Sequence, residues 1–561
     1  MTMYRQILTR SAAVALLALV GTMVATAQGI SADRSTKIDE LFAKWDRTSS
    51  PGCTLSVLKD GQIVYKRAYG MANLDYGVVL TTDTPFHVAS VSKQFTAASI
   101  VLLEQEGKLS FDDEVRRFVP ELPDFGRKIT IRQLLHHTSG LRDQWDLLQL
   151  AGWRYSLDLI TNADVLSVVT RQKELNFAPG SEYSYSNTGY TLLGEIVKRV
   201  SGKSLREFTT ERIFVPLGMK NTHFRDDHAE IIPHQAYGYS HSDKKGWELS
   251  VTNFDTVGAT SLFTTVEDLA LWDENFYSGR VGGPHFTETM LHHDPLTNGE
   301  NIPYAFGLST GKYRGLDIVE HGGADAGYRS ALLRFPLQHF SVACLCNNGG
   351  AAGPGTLAEK VADIMLAADL QATAVPKAEE KFLTLSAGQI TPKVGYYRDH
   401  QKDEIWKVVR KDTGLGVAFG DDILPLKAHS PDSFQLAEYP VAVEFSAGSG
   451  GLLEMKIGRP DEKRQSFEQL PAYTLPESQK KEYQGNYRSA EIDPVYRIAE
   501  ENGKIVLQRL KHEPETLEAA APDLFQAELG AFRFQRDEKG RVTGMLITTG
   551  RIRNLLFVRE R

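Results

Sequence analysis

The sequence predicts a mixed α/β domain followed by two small all-β domains, on three observations. Helical and strand-like patterns alternate up to about residue 370. Beyond residue 382 the pattern is almost wholly strand-like. That last part also repeats itself at an offset of 90 residues. A chain of 561 residues is too long for one ordinary domain, and 42% apolar with 24% charged residues is ordinary for a globular protein.

Taken in order, residues 1–27 read as an export signal. Arg5 and Arg10 precede the apolar stretch 12–24, and Ala25-Thr26-Ala27 supplies a small-x-small cleavage site. The mature protein is therefore expected outside the cytoplasm, periplasmic or secreted. No later apolar run approaches the ~20 residues a membrane span needs, so no stable span is expected after signal removal. Residues 28–370 form the mixed domain. Within it, 54–69 reads as a hairpin turning on Asp60-Gly61, and 329–346 as a second hairpin. Residues 93–107 read as an apolar, buried helix closed by Gly107, 130–137 as a short helix capped by Thr130, and 189–201 as a helix ended by Gly202. The polar stretch 371–382, with Pro376, is a linker.

Residues 383–470 and 475–561 are the two repeats, each expected to be a small antiparallel sheet or barrel. Gly395-Tyr396-Tyr397-Arg398 recurs as Gly485-Asn486-Tyr487-Arg488, and Ile405-Trp406-Lys407-Val408 as Val495-Tyr496-Arg497-Ile498. Phe434 matches Phe525, and Phe445 matches Phe534.

A net charge of −8, with no Lys/Arg block, excludes an electrostatic basis for binding nucleic acid or anionic membranes. Of the three cysteines, Cys344 and Cys346 lie two apart in a strand and share a face, poorly placed to bond each other. They read as small buried strand residues in preference to a C-x-C metal site, and a disulfide scaffold is excluded.

The chemistry starts at Ser90-Val91-Ser92-Lys93. Residues three apart on a helix share a face, so the Lys93 amine can reach the Ser90 hydroxyl. A hydroxyl needs an adjacent base to become a nucleophile, and the apolar helix after Lys93 supplies the burial that lowers an amine's pKa. Tyr185-Ser186-Asn187 follows a Pro-Gly turn and offers a proton relay and an orienting amide. His321-Gly322-Gly323 precedes a strand, where small residues let a substrate lie against the strand edge.

Ser-x-x-Lys, Tyr-x-Asn and His-x-Gly in this order resemble the serine β-lactamase and penicillin-binding-protein superfamily. The sequence is most similar to its class C-like peptidase branch, over roughly residues 35–370. Leu134–Leu141 and Asp268–Trp272 look like that branch too, and a catalytic domain followed by two β domains is similar to D-aminopeptidases. The resemblance implies a β-lactamase/transpeptidase-like domain in which Ser90 is acylated and Lys93 takes its proton. Tyr185 would be the general acid/base, and Asn187 would position Lys93 and substrate. The substrate would be bound along His321, Gly323, Ala324 and Arg329, with the N–H groups of Ser90 and Ala324 as oxyanion hole. No cofactor and no metal are implied; the partner is a small-molecule or peptide substrate.

His321 stands where many relatives carry Lys. A histidine near its ordinary pKa is a weaker, pH-dependent cation, which tilts the reading toward peptidase or esterase work, with Arg329 as a compensating cation. Glu174-Leu175-Asn176 superficially resembles a class A deacylation motif but lies on the wrong side of Tyr185. The pairs His136-His137 and His292-His293, and His512-Glu513, lack metal-ligand spacing and read as surface or core residues. The expected function is a serine hydrolase working through an acyl-enzyme, a D-amino-acid-specific peptidase of aminopeptidase or carboxypeptidase type. The alternatives are a β-lactamase, a small-ester esterase, or a slowly deacylating penicillin-binding sensor. A loop from a repeat is further expected at the mouth of the Ser90 cleft, with Asp421-Asp422 or Glu513 and Glu515 holding a substrate amine.

Overall fold

The computed structural model describes residues 29–560 except 351–352, 372–381, 421, 438–440 and 460–463. The stretch read as an export signal, most of the segment read as a linker, and Asp421 therefore lie outside the described residues. Asp60 at φ 51° and Gly61 at φ 75° make the tight turn that joins the strands Cys53–Lys59 and Gln62–Tyr69. The later hairpin, Tyr328–Phe335 and Phe340–Cys346, pairs with the first through Cys53–Lys59. Ser309–Tyr313 and Leu316–Asp325 complete an antiparallel six-stranded sheet. One face of this sheet packs on Ala32–Phe42 and Pro354–Met365. The other packs against the helical layer that carries Lys93–Gln105, Asn187–Ser201 and Val266–Ser278.

The register corrects the cysteine reading. Cys53 stands directly opposite Cys346, and the two form a disulfide; Cys344, two residues away, stays a free buried thiol. The partner lies 293 residues away in sequence, and only the strand order brings it alongside. The disulfide joins the strands of this six-stranded sheet that come first and last in the sequence.

The repeat is visible in the registers. Tyr397 pairs with Trp406 and Tyr487 with Tyr496. Tyr397 donates to the carbonyl of Lys393 as Tyr487 does to that of Tyr483. Phe445 N–H bonds Asp432 O at 2.9 Å, and Phe534 N–H bonds Asp523 O at 2.8 Å. The first copy closes into an eight-stranded barrel over Gly395–Gln469. The second is a nine-stranded sheet over Gly485–Arg559 whose edge strands, Glu515–Thr516 and Glu518–Ala521, are neighbours in sequence, so it nearly closes. The first barrel has its own core, whereas Tyr483, Tyr496 and Phe557 of the second copy belong to one continuous core with the catalytic domain. Among the described residues no helix is long and apolar enough to cross a membrane.

Candidate active site

Ser90 sits in the short 3-10 turn Ala89–Ser92 that leads into the helix Lys93–Gln105. Ala89 is held at φ 48°, a left-handed conformation unfavourable for a residue with a Cβ. The strand edge presses on this turn from the side. Ser330 Oγ donates to Val88 O at 2.7 Å, and a Cβ on Gly323 would meet that same carbonyl at 2.3 Å. Gly323 is thus the residue that lets the strand Leu316–Asp325 touch the nucleophile turn, with Ala324 next along the edge, in register with Arg329.

Lys93 is wholly buried, and its Nζ lies 3.1 Å from Ser90 Oγ, 2.9 Å from Asn187 Oδ1 and 2.7 Å from Ala259 O. Burial is the main reason its pKa falls to about 7; Arg551 pushes the same way, while Asp325 and Asp143 oppose the fall. Two of the three neighbours are carbonyl oxygens, which can only accept. A neutral amine therefore spends both hydrogens on Asn187 and Ala259 and turns its lone pair to the Ser90 hydroxyl. Asn187, the first residue of its helix, is fixed in turn: its backbone N–H and Nδ2 both donate to Asp143 Oδ2, at 2.6 and 2.9 Å.

Tyr185 lays its ring 4.8 Å from Lys93 Nζ. Burial pushes its phenol well above the ordinary value, with the nearby Ser90 hydroxyl opposing the rise. The phenol oxygen is buried and makes no hydrogen bond of ordinary geometry with the described residues. A buried polar atom without a partner costs free energy, and here it faces the reacting centre.

His321 corrects its sequence reading as a pH-dependent cation. It is buried, and that burial, with the nearby Lys93 charge, pushes its pKa to about 3, so the imidazole is neutral at physiological pH. Nδ1 contacts Gly322 O at 2.6 Å and must carry the proton, which leaves Nε2 to accept from the Tyr304 hydroxyl at 2.9 Å. Arg329 does not compensate, because its guanidinium turns back onto the carbonyls of Ala326 and Tyr328, at 2.8 and 2.7 Å. Asp325, buried at the end of the same strand, bonds His87, Thr260 and Tyr155.

Sequence reasoning missed four members of this site. Ala259 contributes only a backbone oxygen, which leaves no signal in sequence. Asp143 is one carboxylate in a loop. His137, read as a surface or core residue, is buried, and its ring lies 4.2 Å from that of Tyr185 and accepts the N–H of Ser186. The fourth is Arg551, from the second repeat, with its guanidinium 5.1 Å from the Tyr185 ring. A repeat loop does reach the cleft, but it is not one of the predicted acidic ones. Glu515 is spoken for by Arg509 and the Leu529 N–H.

A Ser–Lys pair with the lysine buried and a tyrosine against it, held between a helix and a glycine-pressed strand edge, defines a serine hydrolase. Residues 38–365 match the family described as Beta-lactamase, and the chain belongs to that family. It is 26% identical over 522 residues to a D-aminopeptidase from Brucella anthropi, covering 89% of this chain and 93% of that one. It is 35% identical over 297 residues to a penicillin-binding protein from Bacillus subtilis, covering 50% of this chain and 65% of that one. Among solved structures it is similar to the octameric penicillin-binding protein homologue from Pyrococcus abyssi, with TM-score 0.55, 23% identity, and coverage of 78% of this chain and 99% of that one. It is also similar to the D-amino acid amidase from Ochrobactrum anthropi SV3, with TM-score 0.50, 24% identity, and coverage of 60% and 99%. At these identities the two structures speak for the fold.

Proposed function

We propose that the protein hydrolyses amide bonds next to D-configured residues through an acyl-enzyme on Ser90. The observation that carries this is the Lys93 amine, held on two carbonyl oxygens with its third contact on Ser90 Oγ and a pKa of about 7. The neutral amine takes the Ser90 proton as Oγ bonds to the scissile carbonyl carbon. The carbonyl oxygen becomes an oxyanion facing the N–H groups of Ser90 and Ala324. Tyr185, kept protonated by burial, passes its proton to the departing amine and recovers one from Lys93, so the C–N bond breaks with a neutral amine leaving. Water then repeats the sequence on the ester, its proton going to the same relay, and releases the acid.

The D-peptide class is supported by the likeness over most of the chain to a D-aminopeptidase. The neutral His321 means that the strand edge itself offers no cation for a substrate carboxylate. An export signal at residues 1–27 supports action outside the cytoplasm on peptides that contain D-residues. A panel of D-Ala-p-nitroanilide, a D-Ala-D-Ala peptide, p-nitrophenyl acetate and nitrocefin tests the reading. Steady-state cleavage of a D-peptide substrate, with the L-isomer at least ~10-fold slower, is expected. Stoichiometric Ser90 labelling without product would make the protein an acylated sensor instead.

A further inference from the structure

The cations near Ser90 are mostly committed. Lys93 is interior and triply bonded, His321 is neutral, and Arg329 is folded onto its own turn. Arg142 is tied to Glu491 at 2.7 Å, and Arg553 to Glu182 at 2.8 Å. Arg551 differs. Its side chain keeps 44% exposure, and besides packing over the Tyr185 ring its one side-chain hydrogen bond or ion pair among the described residues is a long 3.4 Å approach of one guanidinium nitrogen to Asp143.

The backbone around Arg551 is nevertheless firmly seated. Its N–H donates to Asp146 Oδ2 at 2.7 Å, and its carbonyl accepts from Asn176 Nδ2 at 2.7 Å. A Cβ on Gly550 would meet the Asp146 carboxylate at 2.7 Å, so the loop rests directly on that group. A rigidly mounted, planar guanidinium with unspent donors is the fork that fits a carboxylate.

We propose that Arg551 binds a carboxylate on the leaving-group side of the substrate and so selects peptides that end one residue beyond the scissile bond. The side follows from Tyr185: the guanidinium lies over the ring that hands a proton to the departing amine, so an anion held there belongs to the departing fragment. The acids near the cleft argue against capture of a free amine. Asp143 is taken by Asn187 and Arg551, Glu182 by Arg553, and Glu491 by Arg142. This assignment rests on the D-peptidase reading and turns it from an aminopeptidase toward a carboxypeptidase.

The test compares an N-acetylated D-Ala-D-Ala peptide with its C-terminal amide, on wild type, Arg551→Ala and Arg551→Lys. The wild type is expected to prefer the free acid by about 10- to 100-fold in kcat/KM, as a charge-assisted pair allows. Arg551→Ala should bring the acid/amide ratio toward one, mainly through KM on the acid, and Arg551→Lys should keep part of the preference. Equal use of acid and amide by the wild type, or an equal loss on both in Arg551→Ala, overturns the assignment while leaving the D-peptidase reading intact. Failure to cleave either peptide contradicts that reading instead. The carboxylate assignment is then judged on the rate of Ser90 acylation by benzylpenicillin against its methyl ester, where the same preference and the same loss are required.

Discussion

The two β repeats share ancestry in their registers and differ in what they touch. The first is a closed barrel with a separate core, joined to the second copy by a small patch around Ile405, Ala520, Leu524 and Ala531 and by exposed pairs such as Lys407–Glu518. The second shares a core with the catalytic domain, and it buries the Arg142–Glu491 pair and bonds the loops carrying Asp143, Asn176 and Glu182. Duplication supplied two copies of one sheet, and docking made only the second part of the site. The lesson is that a repeat's fold follows from its alternating core residues, whereas its role follows from the few side chains on its outer loops.

The comparison breaks most visibly at the ion pairs. Glu491→Ala strands Arg142 in a buried position and should cost about 3–5 kcal/mol, read as a large fall in the thermal midpoint. Glu518→Ala, which unpairs an exposed contact of the first barrel, should cost no more than about 1 kcal/mol. Similar losses from both would show that the two repeats are docked alike.

Glycines give a second contrast. Gly550→Ala drives a methyl group into the Asp146 carboxylate that accepts the Arg551 N–H, whereas Gly450 of the first barrel, at φ 62°, has no atom within 4 Å of a built Cβ. Gly450→Ala should therefore cost only backbone strain, about 1 kcal/mol with kcat/KM kept. Gly550→Ala should lower kcat/KM about tenfold or more, as misplacement of a positioning group does. A kinetically silent Gly550→Ala would separate this loop from the site.

A smaller effect is expected at Tyr496, whose hydroxyl donates to Leu150 O at 2.7 Å across the docked surface. Tyr496→Phe should lose about 1 kcal/mol in denaturant unfolding. No change there would mean that the hydroxyl is equally well served by water.

How much of this was legible follows from the kind of signal each residue leaves. Ser90, Lys93, Tyr185, Asn187 and His321 stand in short motifs with helical or turn spacing, and the fold brings them to one place. The repeats were legible because a 90-residue offset preserves aromatic core positions. The charge state of His321 was not, because burial against Tyr304 and Lys93 is a tertiary property. The Cys53–Cys346 disulfide depends on strand order, and Ala259 acts through its backbone. Arg551 was hidden because nothing in the run Thr549-Gly550-Arg551-Ile552-Arg553 says which surface that turn will meet.

The central claim is that the second repeat is electrically part of the catalytic site, and the pH profile of Arg551→Ala tests it most directly. Protonated Lys93 cannot take the Ser90 proton, so kcat/KM should rise with pH through about 7 and then level. Arg551 is one of the groups that lower the Lys93 pKa, opposed by Asp143 and Asp325. Removing its charge should therefore move this limb to higher pH on the C-terminal amide substrate, where no carboxylate complicates the reading, and Arg551→Lys should restore it. A limb that stays in place in Arg551→Ala, on an enzyme that still folds, would contradict the account and return the second repeat to a structural role.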